Sequence, residues 1–356
     1  MTGAALAGLA RRVRVKALVE AKLLLQRLGV PRRADVLFAC AWEWRYPPYL
    51  YHGLREGQVL EAPRRDLPFF LTYGSLADFF LRLRALPAGA APTAHTVVSA
   101  RAEDLAPSFR RRIRLDDDYY AAATDGALTM PYFCHPDFYR LRLHEAVPRL
   151  RAGERTVRVF FAGTADDAKY DRRFAFPIAT RSAILRAVTA GLADELTTVR
   201  TRAELAAARD GVAQRLLFAI SDDTDDTTDR HLMTPSEYIA LMARSDFFLA
   251  PPGWVMPHCH NIVEAMSVGT IPITNYGGYL TPPLEDGATC LAFDTPEGAV
   301  AAVRRALAMP PAEIAAMRAH VARYYDEHLA APAFRRRLDR QAGADVTVRV
   351  NSERGR

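Results

Sequence analysis

The second half of the chain alternates between apolar strands and helices, and this alternation constrains the fold more strongly than any other feature of the sequence. Five apolar runs predict buried strands: Thr156–Ala162, Arg215–Ile220, Asp246–Ala250, Thr270–Thr274 and Thr289–Phe293. The predicted helices are Thr180–Ala190, Thr234–Arg244, His260–Val268, Pro296–Ala308 and Pro311–His328. Strands that alternate with helices form a parallel, doubly wound sheet, and ligands on such sheets bind beyond the carboxyl ends of the strands. We therefore predict an α/β domain.

Local signals mark the ends of two of these helices. Thr234, Pro235 and Glu237 form a capping box with proline at the first helical position. Gly269 follows the helix at His260–Val268 and ends it.

The first half shows a weaker form of the same pattern. Apolar runs at Asp35–Ala41, Leu67–Tyr73 and His95–Ser99 predict strands, and Ser75–Leu86 has helical spacing. A chain of 356 residues is long enough for two domains, each with its own core. We predict a first domain of residues 1–151 and a second of residues 152–310. In residues 311–356 we predict a closing helix, from Pro311 to about Leu329, that returns to the first domain, and a frayed basic tail, Arg335–Arg356.

The net charge of +6 comes almost entirely from arginine, since Lys16, Lys22 and Lys169 are the only lysines. The planar guanidinium group matches phosphate oxygens in a bidentate way, so an arginine excess suits phosphate-bearing ligands. A GC-rich genome would produce the same excess. The charge alone identifies no partner, and nothing in the sequence points to nucleic acid.

The four cysteines, Cys40, Cys134, Cys259 and Cys290, are far apart and form no C-x-x-C pair. Their spacing argues against a zinc module and against a disulfide framework, and it fits a reducing cytosol. Cys259 lies between His258 and His260, but three adjacent side chains in a regular element cannot all point at one ion. We predict no metal site there.

No apolar run approaches the roughly 18 residues that a membrane-spanning helix needs. Residues 1–30 mix apolar residues with arginine and lysine and lack the pattern of a secretory signal. Two interpretations of this segment stay open: an amphipathic helix on an anionic membrane face, and an ordinary basic helix. We expect a cytoplasmic protein, with peripheral contact at the inner face of the membrane under the first interpretation.

The segment Ser245–Thr274 carries the candidate chemistry. A buried strand leads into the loop Pro251-Pro252-Gly253, and a helix then begins near His258–Asn261. A helix N-terminus presents backbone N–H groups and partial positive charge, which suit a diphosphate. Glu264 lies about one turn inside that helix, where a carboxylate can accept hydrogen bonds from ribose hydroxyls.

This segment resembles the donor half of the exostosin-like glycosyltransferases. The matching residues are Ser245, Phe247, Leu249, Pro251, Gly253, Glu264, Ala265, Gly269, Ile271 and Pro272. Upstream, Val159–Gly163, Arg181 at a helix start and the connector Met130–Tyr139 also resemble the family, whereas residues 1–120 do not. The resemblance implies the GT-B architecture, in which two Rossmann-like domains face each other across a cleft. It also implies a nucleotide-sugar donor, UDP- or GDP-linked, held by the second domain near Gly163, Arg181 and Gly277.

The chain departs from the family at two positions. Asn261 stands three residues before Glu264, where the family usually has an arginine, so His258 and His260 become candidates for the phosphate contact. Met256 stands eight residues before Glu264, where retaining GT-B enzymes carry a second acid. The second departure favours an inverting mechanism.

An inverting transfer needs a general base for the acceptor hydroxyl. Glu43 is the first candidate, because it lies between Trp42 and Trp44, and apolar neighbours raise the pKa of a carboxyl group. His52 and His135 are the next candidates. Asp116–Asp118 contains a D-x-D motif, but no clear strand precedes it, and we interpret it as a solvated charge run. We therefore expect no metal and no cofactor besides the donor.

The sequence thus predicts a glycosyltransferase that moves a sugar from a nucleotide sugar to a surface polysaccharide or glycoconjugate. Two alternatives stay open. A nucleotide-sugar epimerase uses the same two-domain scaffold, and a non-catalytic carbohydrate-binding protein could be built on it.

Overall fold

A computed structural model describes residues 3–28, 33–39, 46–55, 58–71, 77–120, 126–165, 170, 176–210, 214–221, 232–254 and 256–351. The chain divides into two compact units. Unit 1 comprises Met1–Met130 and Ala331–Ser352, and unit 2 comprises Pro131–Ala330. Each unit is built on its own parallel sheet flanked by helices. The predicted α/β class with two Rossmann-like units is confirmed.

Unit 1 contains a seven-stranded sheet in the order β3-β2-β1-β4-β5-β13-β6. Its strands are β1 (Val36–Ala39), β2 (Leu60–Pro63), β3 (Arg84–Leu86), β4 (Thr96–Ser99), β5 (Arg111–Asp116), β6 (Leu128–Thr129) and β13 (Asp345–Arg349). All neighbouring strands are parallel. The register between β1 and β4 runs from Val36 opposite Thr96 to Ala39 opposite Ser99, and all eight of these residues are buried.

The helices of unit 1 are α1 (Gly3–Leu28), α2 (Pro47–Leu54), α3 (Leu67–Phe70), α4 (Ala77–Arg82) and α13 (Ala331–Asp339), with a 3₁₀ turn at Ala102–Asp104. The prediction of a strand at Leu67–Tyr73 is wrong, because its first part is the helix α3. Pro68 lies at the start of α3, where its missing N–H costs nothing, whereas a strand would lose a ladder hydrogen bond there. A short apolar run does not by itself distinguish a strand from a helix.

The C-terminal segment returns to unit 1. Strand β13 lies between β5 and β6, in register from Asp345 opposite Arg112 to Arg349 opposite Asp116. Val346 and Val348 are buried in the sheet. The residues from Arg335 to Arg349, which we expected to be frayed, thus form the end of α13 and an interior strand.

The boundary between the units also differs from the predicted position near Ala152. Helices α5 (Pro136–Arg140) and α6 (Leu143–Arg151) belong to unit 2. Arg151, the last residue of α6, binds this helix to unit 2. Its Nε donates to Ser267 O at 2.7 Å, and its guanidinium group pairs with Asp326. The chain therefore enters unit 2 before α5 rather than after α6.

Unit 2 contains a six-stranded sheet in the order β12-β11-β10-β7-β9-β8, with every neighbouring pair parallel. Its strands are β7 (Val157–Thr164), β8 (Leu196–Val199), β9 (Gln214–Ser221), β10 (Ser245–Leu249), β11 (Ile271–Thr274) and β12 (Leu291–Ala292). Its remaining helices are α7 (Arg181–Gly191), α8 (Arg202–Asp210), α9 (Pro235–Ala243), α10 (His260–Ser267), α11 (Pro296–Ala308) and α12 (Pro311–Tyr324), followed by a π-helical turn at Tyr325–Leu329.

The strand order of unit 2 reverses between β7 and β10. From β7 the chain builds β8 and β9 on one side of the sheet, then crosses to build β10, β11 and β12 on the other side. Such a reversal opens a crevice at the carboxyl ends of the two central strands, and open α/β sheets bind their ligands in that crevice.

Within the described residues, no helix combines the length and the apolar character that crossing a bilayer requires.

Candidate functional site

The candidate site lies at the strand-order reversal of unit 2, where β7 and β10 end. Strand β7 contributes Gly163. Its backbone has a φ of +152°, a value that residues other than glycine rarely adopt. Strand β10 continues into Pro251, Pro252 and Gly253, and the loop then leads into α10. The segment singled out in the sequence therefore lies where the topology locates a ligand crevice.

Gly253 closes the loop between β10 and α10. Its N–H donates to Pro257 O at 3.0 Å. A Cβ atom at this position would lie 2.5 Å from His258 O and 2.9 Å from Met256 O, which are backbone atoms that cannot move aside independently. Only glycine fits this loop, so its shape depends on a residue without a side chain.

Arg181 reaches the same loop from α7. It is the first residue of that helix, after the N-cap Thr180, and it is only 4% exposed. Its Nε donates to Pro252 O at 3.1 Å, and its Nη2 contacts Cys259 Sγ at 3.4 Å. Its guanidinium carbon lies 4.2 Å from the ring centroid of Tyr170. These contacts fix the guanidinium group between the loop and an aromatic ring.

Among the residues that the structure describes, no carboxylate pairs with Arg181. Its Nη1 lies beside the carboxyl end of β7, since a Cβ atom on Gly163 would be 3.6 Å from it. A buried charge is costly unless an opposite charge compensates it, and guanidinium groups match phosphate oxygens well. The arrangement therefore suits an anion at the strand-order reversal.

The start of α10 adds to this positive potential. Its N-cap residue is Cys259, and no side chain caps the helix. The first N–H groups of an α-helix have no partner within the helix itself, and the helix dipole makes that end partially positive. Asn261 Nδ2 donates to Ala162 O at 3.4 Å, which links α10 to the end of β7. Anionic oxygens are favoured at such a helix start.

Glu264 lies one turn further along α10 and is 4% exposed. Its Oε1 accepts a hydrogen bond from the backbone N–H of His135 at 2.8 Å. Burial raises the pKa of Glu264 to about 7; the His135 hydrogen bond acts in the opposite direction, and the charge of Asp137 adds to the rise. The carboxyl group therefore changes charge near neutral pH, beside the predicted diphosphate position.

The two histidines that flank Cys259 both contact the residues just before α5. His258 is 1% exposed, its Nε2 lies 3.1 Å from Tyr279 O, and burial lowers its pKa to about 4. His260 Nδ1 lies 3.0 Å from Phe133 O. The ring of Tyr132 stacks on both imidazoles, at centroid distances of 5.0 and 5.6 Å. The predicted connector thus forms one wall of the site, and His258 is neutral at pH 7.

Two further residues lie at the end of β11. Gly277 begins a 3₁₀ turn, Gly277–Tyr279, and a Cβ atom there would lie 3.1 Å from Leu284 Cβ. Asn275 was not singled out in the sequence, yet its Nδ2 donates to Ala179 O at 2.9 Å and so ties β11 to the residues before Arg181. The sequence feature that could have identified Asn275 is its position directly after the buried strand β11.

The three candidate bases lie in different parts of the molecule. His135 is in unit 2, caps α5 through a hydrogen bond from Asp137 N–H at 3.2 Å, and meets His260 edge to face at 5.4 Å. His52 is in α2 of unit 1, next to the ring of Tyr51. Glu43 lies outside the described residues. His135 thus lies at the site at β7 and β10 of unit 2, and His52 belongs to unit 1.

The D-x-D motif proves to follow a strand after all, since β5 ends at Asp116. Asp118 N–H donates to Asp116 Oδ1 at 3.0 Å, so the aspartates form a local turn. Within the described part of the chain, no three His, Cys, Asp or Glu side chains come together as metal ligands would.

Neither a family model nor a curated protein sequence matches the chain. Solved structures show some similarity. Anabaena HepE in complex with UDP is 10% identical, with a TM-score of 0.48 over 86% of this chain and 98% of that one. A glycosyltransferase from Rickettsia africae is 8% identical, with a TM-score of 0.47 over 86% and 97%. The α,α-trehalose-phosphate synthase from Burkholderia xenovorans is 13% identical, with a TM-score of 0.37 over 92% and 76%. At these values the likeness indicates no function, and the fold is established by the two parallel sheets themselves.

Proposed function

We propose that unit 2 binds a nucleotide sugar and that the chain is a glycosyltransferase. The observation that carries this proposal is Arg181, a buried guanidinium group without a carboxylate partner among the described residues, at the carboxyl ends of β7 and β10. A diphosphate supplies the missing negative charge. The resemblance of Ser245–Thr274 to the exostosin-like family supports the same assignment.

In this proposal the diphosphate lies between the start of α10 and Arg181. Both groups stabilise the negative charge that develops as the glycosidic bond to the donor breaks, so the departing nucleotide needs no metal ion. Glu264 accepts hydrogen bonds from the ribose hydroxyls in its charged form. The donor is UDP- or GDP-linked, and Gly163 and Gly277 let the sugar approach the backbone.

The acceptor is a hydroxyl of a surface polysaccharide or glycoconjugate. A general base removes the hydroxyl proton, the oxygen attacks the anomeric carbon, and the nucleotide diphosphate leaves from the opposite face. We assign the base to unit 1, with Glu43 first and His52 next; His135 is the candidate within unit 2. Met256, where retaining enzymes have an acid, supports inversion.

The test is to incubate the purified protein with UDP- and GDP-sugars one at a time and to analyse the products. Slow release of free nucleotide from one donor supports a transferase that hydrolyses its donor when no acceptor is present. Interconversion of one nucleotide sugar into another would replace the proposal with an epimerase. Thermal stabilisation by a donor without any turnover would identify a binding protein.

A further inference from the structure

Helix α1 has an outward face that is apolar, which is unusual for a helix on the surface of a unit. Four of its large apolar side chains are exposed, and three of them are more than half exposed: Val13 at 61%, Leu18 at 41%, Leu24 at 58% and Leu25 at 68%. Scattered single apolar residues on a surface need no explanation, but a contiguous group of them marks an interaction site.

The helix geometry shows that these side chains form one group. Val19 and Leu23 are buried and define the inward face of α1. With a 100° turn per residue, positions 13, 17, 18, 21, 24 and 25 lie on the opposite side, and the alanines at 17 and 21 are exposed too. Between Val13 and Gln26 the outward side of the helix therefore carries several exposed apolar side chains, with Arg14 among them, and only the inward side packs against unit 1.

Helix α4 extends this outward face. Leu81 is 73% exposed. Lys22 connects the two helices, because its Nζ donates to Leu81 O at 3.2 Å and lies 5.2 Å from the ring centroid of Phe80. Lys22 is one turn from both Leu18 and Leu25 along α1, and its hydrogen bond brings the backbone of Leu81 to this part of the helix. We call Val13, Leu18, Leu24, Leu25 and Leu81 the outer apolar face.

The charges around the outer apolar face are positive. Arg14 is exposed within it, and Arg82, next to Leu81 on α4, is exposed too. Glu20 is the only acidic residue of α1, and its charge is compensated by an ion pair with Arg64. An apolar stripe bordered by cations is the pattern of a helix that lies in the interface of an anionic membrane.

We propose that the outer apolar face binds the surface of a lipid bilayer that contains anionic lipids. The leucines enter the boundary between headgroups and acyl chains, and Arg14 and Arg82 contact lipid phosphates. A second copy of the chain is a poorer occupant, because an isologous contact would place the positive Arg14 against a face with the same charge. The proposal concerns unit 1 alone and does not depend on the donor site of unit 2.

Flotation with lipid vesicles tests the proposal on the full chain. The vesicles consist either of phosphatidylcholine alone or of phosphatidylcholine mixed with phosphatidylglycerol. We expect the chain to float with the mixed vesicles, less so at high salt, and the double variant Leu24→Glu/Leu25→Glu to bind at least about tenfold more weakly, since two large apolar side chains no longer insert. Leu141→Glu is the matched control, an exposed leucine of unit 2 that should leave binding unchanged.

All the substituted side chains are exposed, so the thermal midpoints of the variants should match that of the wild type. Failure of the wild type to float with the mixed vesicles would overturn the proposal. So would equal binding by the double variant and the control. A dimer in sedimentation equilibrium that the double variant abolishes would show that a second copy, not lipid, covers this face.

Discussion

At the scale of single residues, the site is defined by ionisable groups that are buried without the usual compensation. Arg181 has backbone, sulfur and aromatic contacts but no carboxylate among the described residues, and Glu264 accepts one backbone hydrogen bond and has a pKa of about 7. Burial of the charged Glu264 carboxylate costs stability in the absence of ligand. Such uncompensated groups are typical of binding sites, where a ligand supplies the missing partners.

Glu264 makes the stability of the protein depend on pH. Its folded pKa of about 7 lies above the ordinary value of 4.5, so folding favours the neutral acid. The stability of the wild type relative to Glu264→Gln should therefore be greatest below about pH 4.5 and fall by about 3 kcal/mol as the pH rises to about 7. Urea unfolding of both proteins across this range measures the difference. A constant difference would show that Glu264 is not buried in the folded state.

Arg181 should discriminate between phosphorylated and unphosphorylated ligands. Arg181→Lys keeps the charge but loses the planar fork, and it should weaken binding of a nucleoside diphosphate about tenfold or more, the worth of one charge-assisted hydrogen bond. Binding of the corresponding nucleoside should not change. Arg186→Lys, an exposed position on the same helix, is the control. Equal losses for nucleoside and diphosphate in Arg181→Lys would show a general distortion of the site instead.

At the scale of secondary-structure elements, the geometry of the site comes from the loop between β10 and α10. Gly253→Ala would bring a Cβ atom to 2.5 Å from a backbone oxygen, so the loop has to rearrange. We expect a loss of about 1–3 kcal/mol in unfolding free energy together with weaker nucleotide binding. Gly278→Ala, where nothing lies within 4 Å of the added atom, should change neither. A tolerated Gly253→Ala would mean that the loop has a different conformation.

The elements of unit 2 could be predicted well because most of its strands are buried runs with clear flanking signals. The capping box at Thr234 is present as predicted, and α11 has the predicted bounds. Strand β8 was missed because it is an edge strand, Leu196–Val199, with three of its four residues partly or fully exposed. In unit 1, β5 alternates charged and apolar residues and carries no continuous apolar run. The contacts that make the site, such as His135 N–H with Glu264, join residues far apart in sequence, and no local pattern reveals them.

At the scale of the whole molecule, the chain leaves unit 1 after Met130 and returns to it at Ala331. The returning strand β13 lies in the interior of the unit 1 sheet, so the C-terminal segment is part of that core. This topology was not predicted from sequence, because the five residues of β13 gain their partners only from strands more than two hundred positions away.

A charge in β13 should therefore destabilise unit 1. Val348 is fully buried, and Val348→Asp should lower the unfolding free energy by about 3 kcal/mol or more, the cost of burying an unpaired polar or charged group. Ala344→Asp, an exposed position just before the strand, should have little effect. Chemical unfolding followed by tryptophan fluorescence and circular dichroism measures both variants. Similar stability of the two would indicate that the C-terminal segment does not belong to the core of the sheet.

The central claim is that α10 and Arg181 bind the diphosphate of a nucleotide while Glu264 binds its ribose. Calorimetric titration of UDP and GDP at about pH 8, where Glu264 is charged, tests this directly. The account predicts that one of the two nucleotides binds and that Glu264→Gln lowers the affinity for this nucleotide about tenfold. Glu297 is an exposed glutamate in the first turn of α11, and Glu297→Gln should leave the affinity unchanged. If neither nucleotide binds, or if Glu264→Gln binds as tightly as the wild type, the claim is contradicted.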